Sequence, residues 1–122
     1  MRTTMGYDEN SIIYDIRGDI QLGDLAPDGF QLRPHIVWFE EAVPMIEPAA
    51  AIAETADIFV VIGTSLVVYP AAGLLRYAPA QIPKFIIDKH IPATGSIANL
   101  SAIEATASEG VELLKSRLKA YL

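Results

Sequence analysis

Ala56-Asp57-Ile58-Phe59-Val60-Val61-Ile62-Gly63-Thr64-Ser65 is the stretch whose reading decides the fold. Within it, residues 57–63 carry a continuous apolar run, Ile58 to Ile62, of β-branched and aromatic residues, too short for a helix and closed by Gly63. Such a run predicts a strand buried on both faces, the pattern of a parallel sheet. Residues 42–56 before it are rich in Ala, Ile and Glu and read as a helix. Its start is expected near Glu47, with Pro48 at the first helical position, where the missing N–H costs nothing. After Ser65 the chain turns into a short helix near Pro70. Lys84-Phe85-Ile86-Ile87-Asp88 reads as a second buried strand, and residues 90–102 as loop. From Ser108 to Leu122, apolar Val111, Leu114 and Leu118 alternate with charge, which predicts an amphipathic helix with cations at its C-terminal end.

Upstream, His35-Ile36-Val37-Trp38-Phe39 is a short β-rich run after Arg33-Pro34. From there the order is β-α-β-α-β-α, which implies parallel strands joined by right-handed crossovers. Residues 1–31 differ in character, being rich in Asp, Gly and Tyr. Residues 11–16 and 19–22 read as short strands around an Arg17-Gly18-Asp19 turn, and 25–30 as a second turn, since Pro27-Asp28-Gly29 is strong turn chemistry. A boundary is expected at Gly29 to Leu32, dividing a small irregular module, 1–31, from an α/β region, 32–122.

The 122 residues are the size of one small domain, and 52% of them are hydrophobic, ample for a core. A net charge of −6 with no basic stripe argues against nucleic acid as a partner. No apolar run approaches the roughly 20 residues of a membrane span, and the polar N-terminus has no signal-peptide stretch. With no Cys there is no disulfide, thiol nucleophile or thiolate metal site. His35 and His90 are too isolated to make a metal site. These features point to a cytoplasmic protein that binds neither nucleic acid nor membrane.

Three stretches could carry chemistry. Gly63-Thr64-Ser65 follows a strand directly, and ligands of open α/β sheets bind beyond the carboxyl ends of strands. Glycine lets a ligand approach the backbone, and two hydroxyls suit a ribose or a phosphate. Alone, the triplet reads first as an ordinary turn, because there is no glycine-rich dinucleotide fingerprint and no Walker pattern. Asp88, ending the second strand, can accept hydrogen bonds from ribose hydroxyls; alone, it reads as a solvated strand end or a helix cap. In 33–41, Trp38 reads as core, His35 as a packed or surface histidine, and Glu40-Glu41 as an acidic pair at a helix start. The apolar run could instead pair with an extended peptide.

Together, Leu32-Arg33-Pro34-His35-Ile36-Val37-Trp38-Phe39, Gly63-Thr64-Ser65-Leu66 with Pro70-Ala71-Ala72, Ile86-Ile87-Asp88, and Ala105-Thr106-Ala107-Ser108-Glu109-Gly110 are far more specific than any one. In this order and spacing they resemble the C-terminal part of the sirtuin family of NAD-dependent protein-lysine deacylases, closest to bacterial members without zinc cysteines. The resemblance covers nearly the whole chain and is densest over 32–75. It implies a partial Rossmann-like parallel sheet of about three to four strands with helices, residues 1–31 being the remnant of a small inserted module.

The same resemblance assigns roles. Gly63, Thr64 and Ser65 would hold the adenosine side of NAD, Asp88 and Lys89 would lie beside the adenine ribose, and Ala107 against the adenine. Asp88 replaces the family's usual Asn, which keeps an acceptor and adds charge. Ile36, Val37, Phe39 and Val68 would line the channel for an acyl-lysine protein or peptide. Glu40 replaces a glycine that lies close to that peptide in the family. The family's Gly-Ala-Gly pyrophosphate turn, its Gln-Asn-x-Asp stretch and its His-Gly general base do not occur here, so the chain alone is expected to have no catalytic residue and no deacylase turnover. No zinc is expected. A sheet without its first strands would leave a central strand as an open edge, and a homodimer or higher oligomer is expected to cover it. The alternative is a non-catalytic nucleotide- or peptide-binding α/β module.

Overall fold

The computed structural model describes residues 12–121. The element order is α1 (Ile46–Glu54), β1 (Phe59–Ile62), a 3-10 helix (Ala71–Arg76), β2 (Lys84–Asp88), β3 (Leu100–Glu104) and α2 (Ala107–Leu118). The chain divides into two compact units, Met1–Pro44 and Met45–Leu122.

In the second unit the three strands form one parallel sheet in the order β1-β2-β3. This is the partial Rossmann-like α/β architecture expected from sequence. Phe59 to Ile62 align with Lys84 to Ile87, and Lys84 to Asp88 with Leu100 to Glu104. β2 lies in the middle, and its side chains alternate between two cores. Phe85 and Ile87 pack with Ile103 and Leu114 on the α2 side. Ile86 packs with Val61 and Leu75 on the other, under the 3-10 helix. Ile86 and Ile87 have no exposed surface, and full burial of such a side chain stabilises by about 1.5–3 kcal/mol.

β1 departs from expectation. Only Val61 is buried, while Val60 and Ile62 keep 36% and 44% of their surface. They pair with Phe85 and Ile87 and so share the α2 side of the sheet, but α2 packs chiefly on β2 and β3 and leaves them partly uncovered. β1 is therefore an apolar edge strand. The third strand begins inside the 90–102 stretch expected as loop: Leu100-Ser101-Ala102-Ile103-Glu104 buries only Ile103 and is dominated by small and polar residues, so it lacks a strong strand pattern.

Helix α1 begins at Ile46, one residue before its expected start, and Pro48 falls at its third position. That place still lies among the first four residues, whose N–H groups have no partner within the helix. α2 opens on Thr106, whose hydroxyl accepts from Glu109 N–H at 3.4 Å and donates to its carboxylate at 2.7 Å, a capping box. Val111, Leu114 and Leu118 face the sheet, as their spacing predicts.

The described part of the first unit holds no regular strand. Residues 12–16 and 19–22, expected as strands, are irregular, and Ser11 lies outside the described residues. The 25–30 turn is present: Gly29 N–H donates to Ala26 O at 2.8 Å, and Ala26 N–H to Phe30 O at 2.8 Å. Residues 35–39 are also irregular, with Ile36, Val37, Trp38 and Phe39 exposed. High β propensity does not make a strand where no neighbouring strand completes the ladder. Trp38 is accordingly not core, being 52% exposed, and the run is not a preformed edge for peptide pairing.

Candidate functional site

Parallel pairing brings the carboxyl ends of all three strands to one edge of the sheet. Gly63 follows β1, Asp88 ends β2, and Ala105 follows β3. Two backbone bonds tie them together: Gly63 N–H donates to Ile87 O at 2.9 Å, and Ala105 N–H donates to Asp88 O at 3.1 Å. The expected nucleotide residues Gly63, Thr64, Ser65, Asp88, Lys89 and Ala107 thus converge at this edge, from three loops far apart in sequence.

Each is shaped by its local chemistry. Gly63 has φ of 65°, and nothing lies within 4 Å of the space a side chain would take. A β-branched residue there would be strained and would also fill the approach to the strand end. Thr64 and Ser65 are exposed, and Thr64 Oγ1 accepts from Leu66 N–H at 3.2 Å. That bond accompanies a left-handed turn at Leu66, whose φ is 53°. Asp88 is half-buried and accepts from His90 N–H through Oδ1 at 3.0 Å, which holds the loop after β2 and orients the carboxylate. Ala107 opens α2 and is exposed.

The charge at this edge suits a sugar diol more than a phosphate. The N-terminus of α2 is already engaged by Thr106 and Glu109. Glu109 is held below the usual carboxylate range by the Thr106 hydroxyl first, then the Thr106 backbone, with Lys89 contributing. An anionic group therefore occupies the helix end that would otherwise attract a phosphate. Hydroxyls, a carboxylate and an open backbone remain, a donor and acceptor set that fits ribose hydroxyls. Thr106 and Glu109 belong to this edge and were not among the expected residues, although their spacing is a legible capping pattern.

The expected acyl-lysine residues separate between the units. Val68 is exposed beside β1 and lines an open, mainly apolar groove of about 290 Å³ with Val60, Ile62, Leu66, Ala72 and Leu75. Ile36, Val37 and Phe39 belong to the first unit, on the exposed 35–41 loop. That loop is braced by Arg33, which donates to both carboxylate oxygens of Glu41 at 2.7 and 2.9 Å and to Ile36 O at 3.2 Å. Glu41 also accepts from Trp38 N–H at 3.0 Å. Glu41 is thus a loop brace and not part of a helix start, because α1 begins only at Ile46. An eight-residue separation carries no local signal for this pair. Among the described residues, no group of three or more His, Asp or Glu is arranged to hold a metal ion.

The comparisons with known proteins agree with this architecture. An NAD-dependent protein deacylase of Bacteroides thetaiotaomicron is 53% identical over 100 residues, 82% of this chain and 43% of that protein. A solved complex of a Sir2 homologue with 2'-O-acetyl ADP ribose superimposes with a TM-score of 0.64 and 32% identity, covering 77% of this chain and 39% of the other. A Sir2 structure bound to acetylated peptide gives a TM-score of 0.59 at 28% identity, covering 80% and 41%. The chain therefore spans less than half the length of these relatives. The Sir2 family model matches residues 7–70, more than half of the chain, and with that match the chain belongs to the sirtuin (Sir2) family.

Proposed function

We propose that this chain forms the adenosine half of the NAD site, and part of the acyl-lysine groove, of an NAD-dependent protein-lysine deacylase. The observation that carries the reading is the meeting of Gly63–Ser65, Asp88–Lys89 and Ala105–Ala107 at the carboxyl edge of one parallel sheet. Support comes from relatives named as NAD-dependent protein deacylases and from a Sir2 structure bound to acetylated peptide. Thr64, Ser65 and Asp88 would bond the ribose hydroxyls, and Ala107 would lie against the adenine. Ile36, Val37, Phe39 and Val68 would contact the acyl-lysine. NAD would supply the acceptor for the acyl group, while these residues bind and orient.

The chain by itself binds without reacting in this reading. Its two histidines, His35 and His90, are exposed and lie on loops, and no motif of the family's general base is present. The test is ligand-observed NMR with adenosine and with nicotinamide mononucleotide, beside a deacylation assay on an acetyl-lysine peptide. Adenosine is expected to show saturable contact with the chain, nicotinamide mononucleotide none, and the assay no turnover. Preference for the mononucleotide would refute the half-site, and sustained turnover would refute the binding-only role. A second copy of the chain is the proposed partner for the open edge of β1, whose backbone N–H and C=O groups strand pairing would satisfy.

A further inference from the structure

Glu40 is the feature of the 35–41 loop that the brace does not use. Its φ is 70°, a region in which side chains other than Gly, Asn and Asp are rare. Glu41 beside it is neutralised by Arg33. Glu40 is exposed, and its carboxylate makes no hydrogen bond or ion pair among the described residues. It follows Trp38 and Phe39, which are 52% and 85% exposed. An unpaired anion thus stands next to an uncovered aromatic surface.

A second observation points the same way. Residues 1–44 contain eight Asp and Glu against three Lys and Arg, whereas 45–122 contain seven against six. The first unit therefore carries −5 of the net −6 and the second only −1. The loop with the exposed apolar side chains belongs to the strongly acidic unit. Like-charged peptides are repelled by such a field, and oppositely charged ones are steered and held.

We propose that Glu40 is a specificity-determining residue, and that the 35–41 loop selects acyl-lysine peptides with Lys or Arg beside the modified residue. Ile36, Val37 and Phe39 supply apolar contact for such a peptide, and Glu40 supplies the charge that reads its flank. The inference rests on the acyl-lysine reading above, and its test separates the two.

Binding to the full 122-residue chain is measured by fluorescence anisotropy with four short peptides. Each has one central lysine, acetylated or free, flanked on both sides by Arg or by Glu. At low ionic strength the Arg-flanked acetyl peptide is expected to bind at least about threefold more tightly than the Glu-flanked one, the scale of an exposed charge pair. The preference is expected to shrink as salt screens it. It is also expected to shrink in Glu40→Gln and in Glu40→Gly, the second of which suits a positive φ and keeps the loop folded. Equal affinity for the two acetyl peptides would overturn the inference, as would a preference that neither variant alters. Arg-flanked peptides that bind equally well with and without the acetyl group would overturn the acyl-lysine reading, and the inference with it. Absence of binding by either acetyl peptide would overturn both.

Discussion

Lys84 is 1% exposed and is surrounded by backbone. Its Nζ donates to the carbonyls of Pro79 at 2.6 Å, Ile82 at 3.2 Å, Ala98 at 3.3 Å and Ala80 at 3.4 Å. One ammonium therefore fastens the 79–83 turn and the loop before β3 to the start of β2. Lys84→Met keeps the volume and strands those carbonyls, so a loss of about 3 kcal/mol is expected in urea unfolding; an unchanged midpoint would refute the role. At the other end of the sheet, Thr106→Ala removes a helix cap and is expected to cost about 1 kcal/mol. Glu109 adds a pH signature. Its carboxyl lies below the ordinary value in the fold, so the ionised form is favoured by folding. That stabilisation is complete above the pKa of an unfolded Glu and disappears as pH falls through the lowered folded value. The stability gap between wild type and Glu109→Gln should accordingly close in acid, as followed by thermal unfolding against pH. Thr106-x-x-Glu109 has capping-box spacing, although the helix was expected to start only at Ser108. The role of Lys84 was not legible, because its partners are carbonyls, which any residue type supplies, and one of them lies fourteen residues away.

Helix α2 approaches the sheet at Gly110, which is buried against Ile87 and Ile103. A Cβ at this position would meet Ile87 Cγ2 closer than any real contact, and Ile87 is fully buried with no room to retreat. Gly110→Ala should therefore destabilise by about 2 kcal/mol, overriding the better helix propensity of Ala. Greater stability of that variant would contradict the packing. β1 poses the opposite problem, too little cover. Val60 and Ile62 stand exposed on the α2 face of an edge strand, and such edges invite self-association. Light scattering at micromolar concentration should show oligomers for the wild type and a shift toward monomer for Ile62→Lys; a monomeric wild type would contradict the proposed pairing. The sequence showed β2 and α2 well, because a continuous apolar run and a helical stripe are strong local patterns. It misled at residues 35–39, where β-rich residues have no strand beside them. It also misled at β3, where a single buried Ile103 left little pattern to see, and at β1, where apolar sequence does not reveal whether a neighbour covers it.

At the scale of the whole chain, two units carry two halves of the proposed function. The acidic first unit offers an apolar loop with Glu40, and the second offers a three-stranded parallel sheet with its loops gathered at one edge. The meeting of Gly63–Ser65 with Asp88 follows from the parallel pairing of β1 and β2 and was legible with those strands; the arrival of Ala107 depends on β3, which was not. What the gathered groups bind depends on the assembled edge: Thr64, Ser65 and Asp88 offer the hydroxyl and carboxylate groups proposed above to bond a ribose, while Glu109 occupies the nearby helix end. The most direct test is calorimetric titration of NAD into the 122-residue chain, repeated with Gly63→Val, in which a branched side chain occupies the open approach at φ 65°. The account predicts weak, saturable binding by the wild type, abolished in Gly63→Val with folding retained by circular dichroism. No heat of binding from the wild type, or equal binding by a folded Gly63→Val variant, would contradict it.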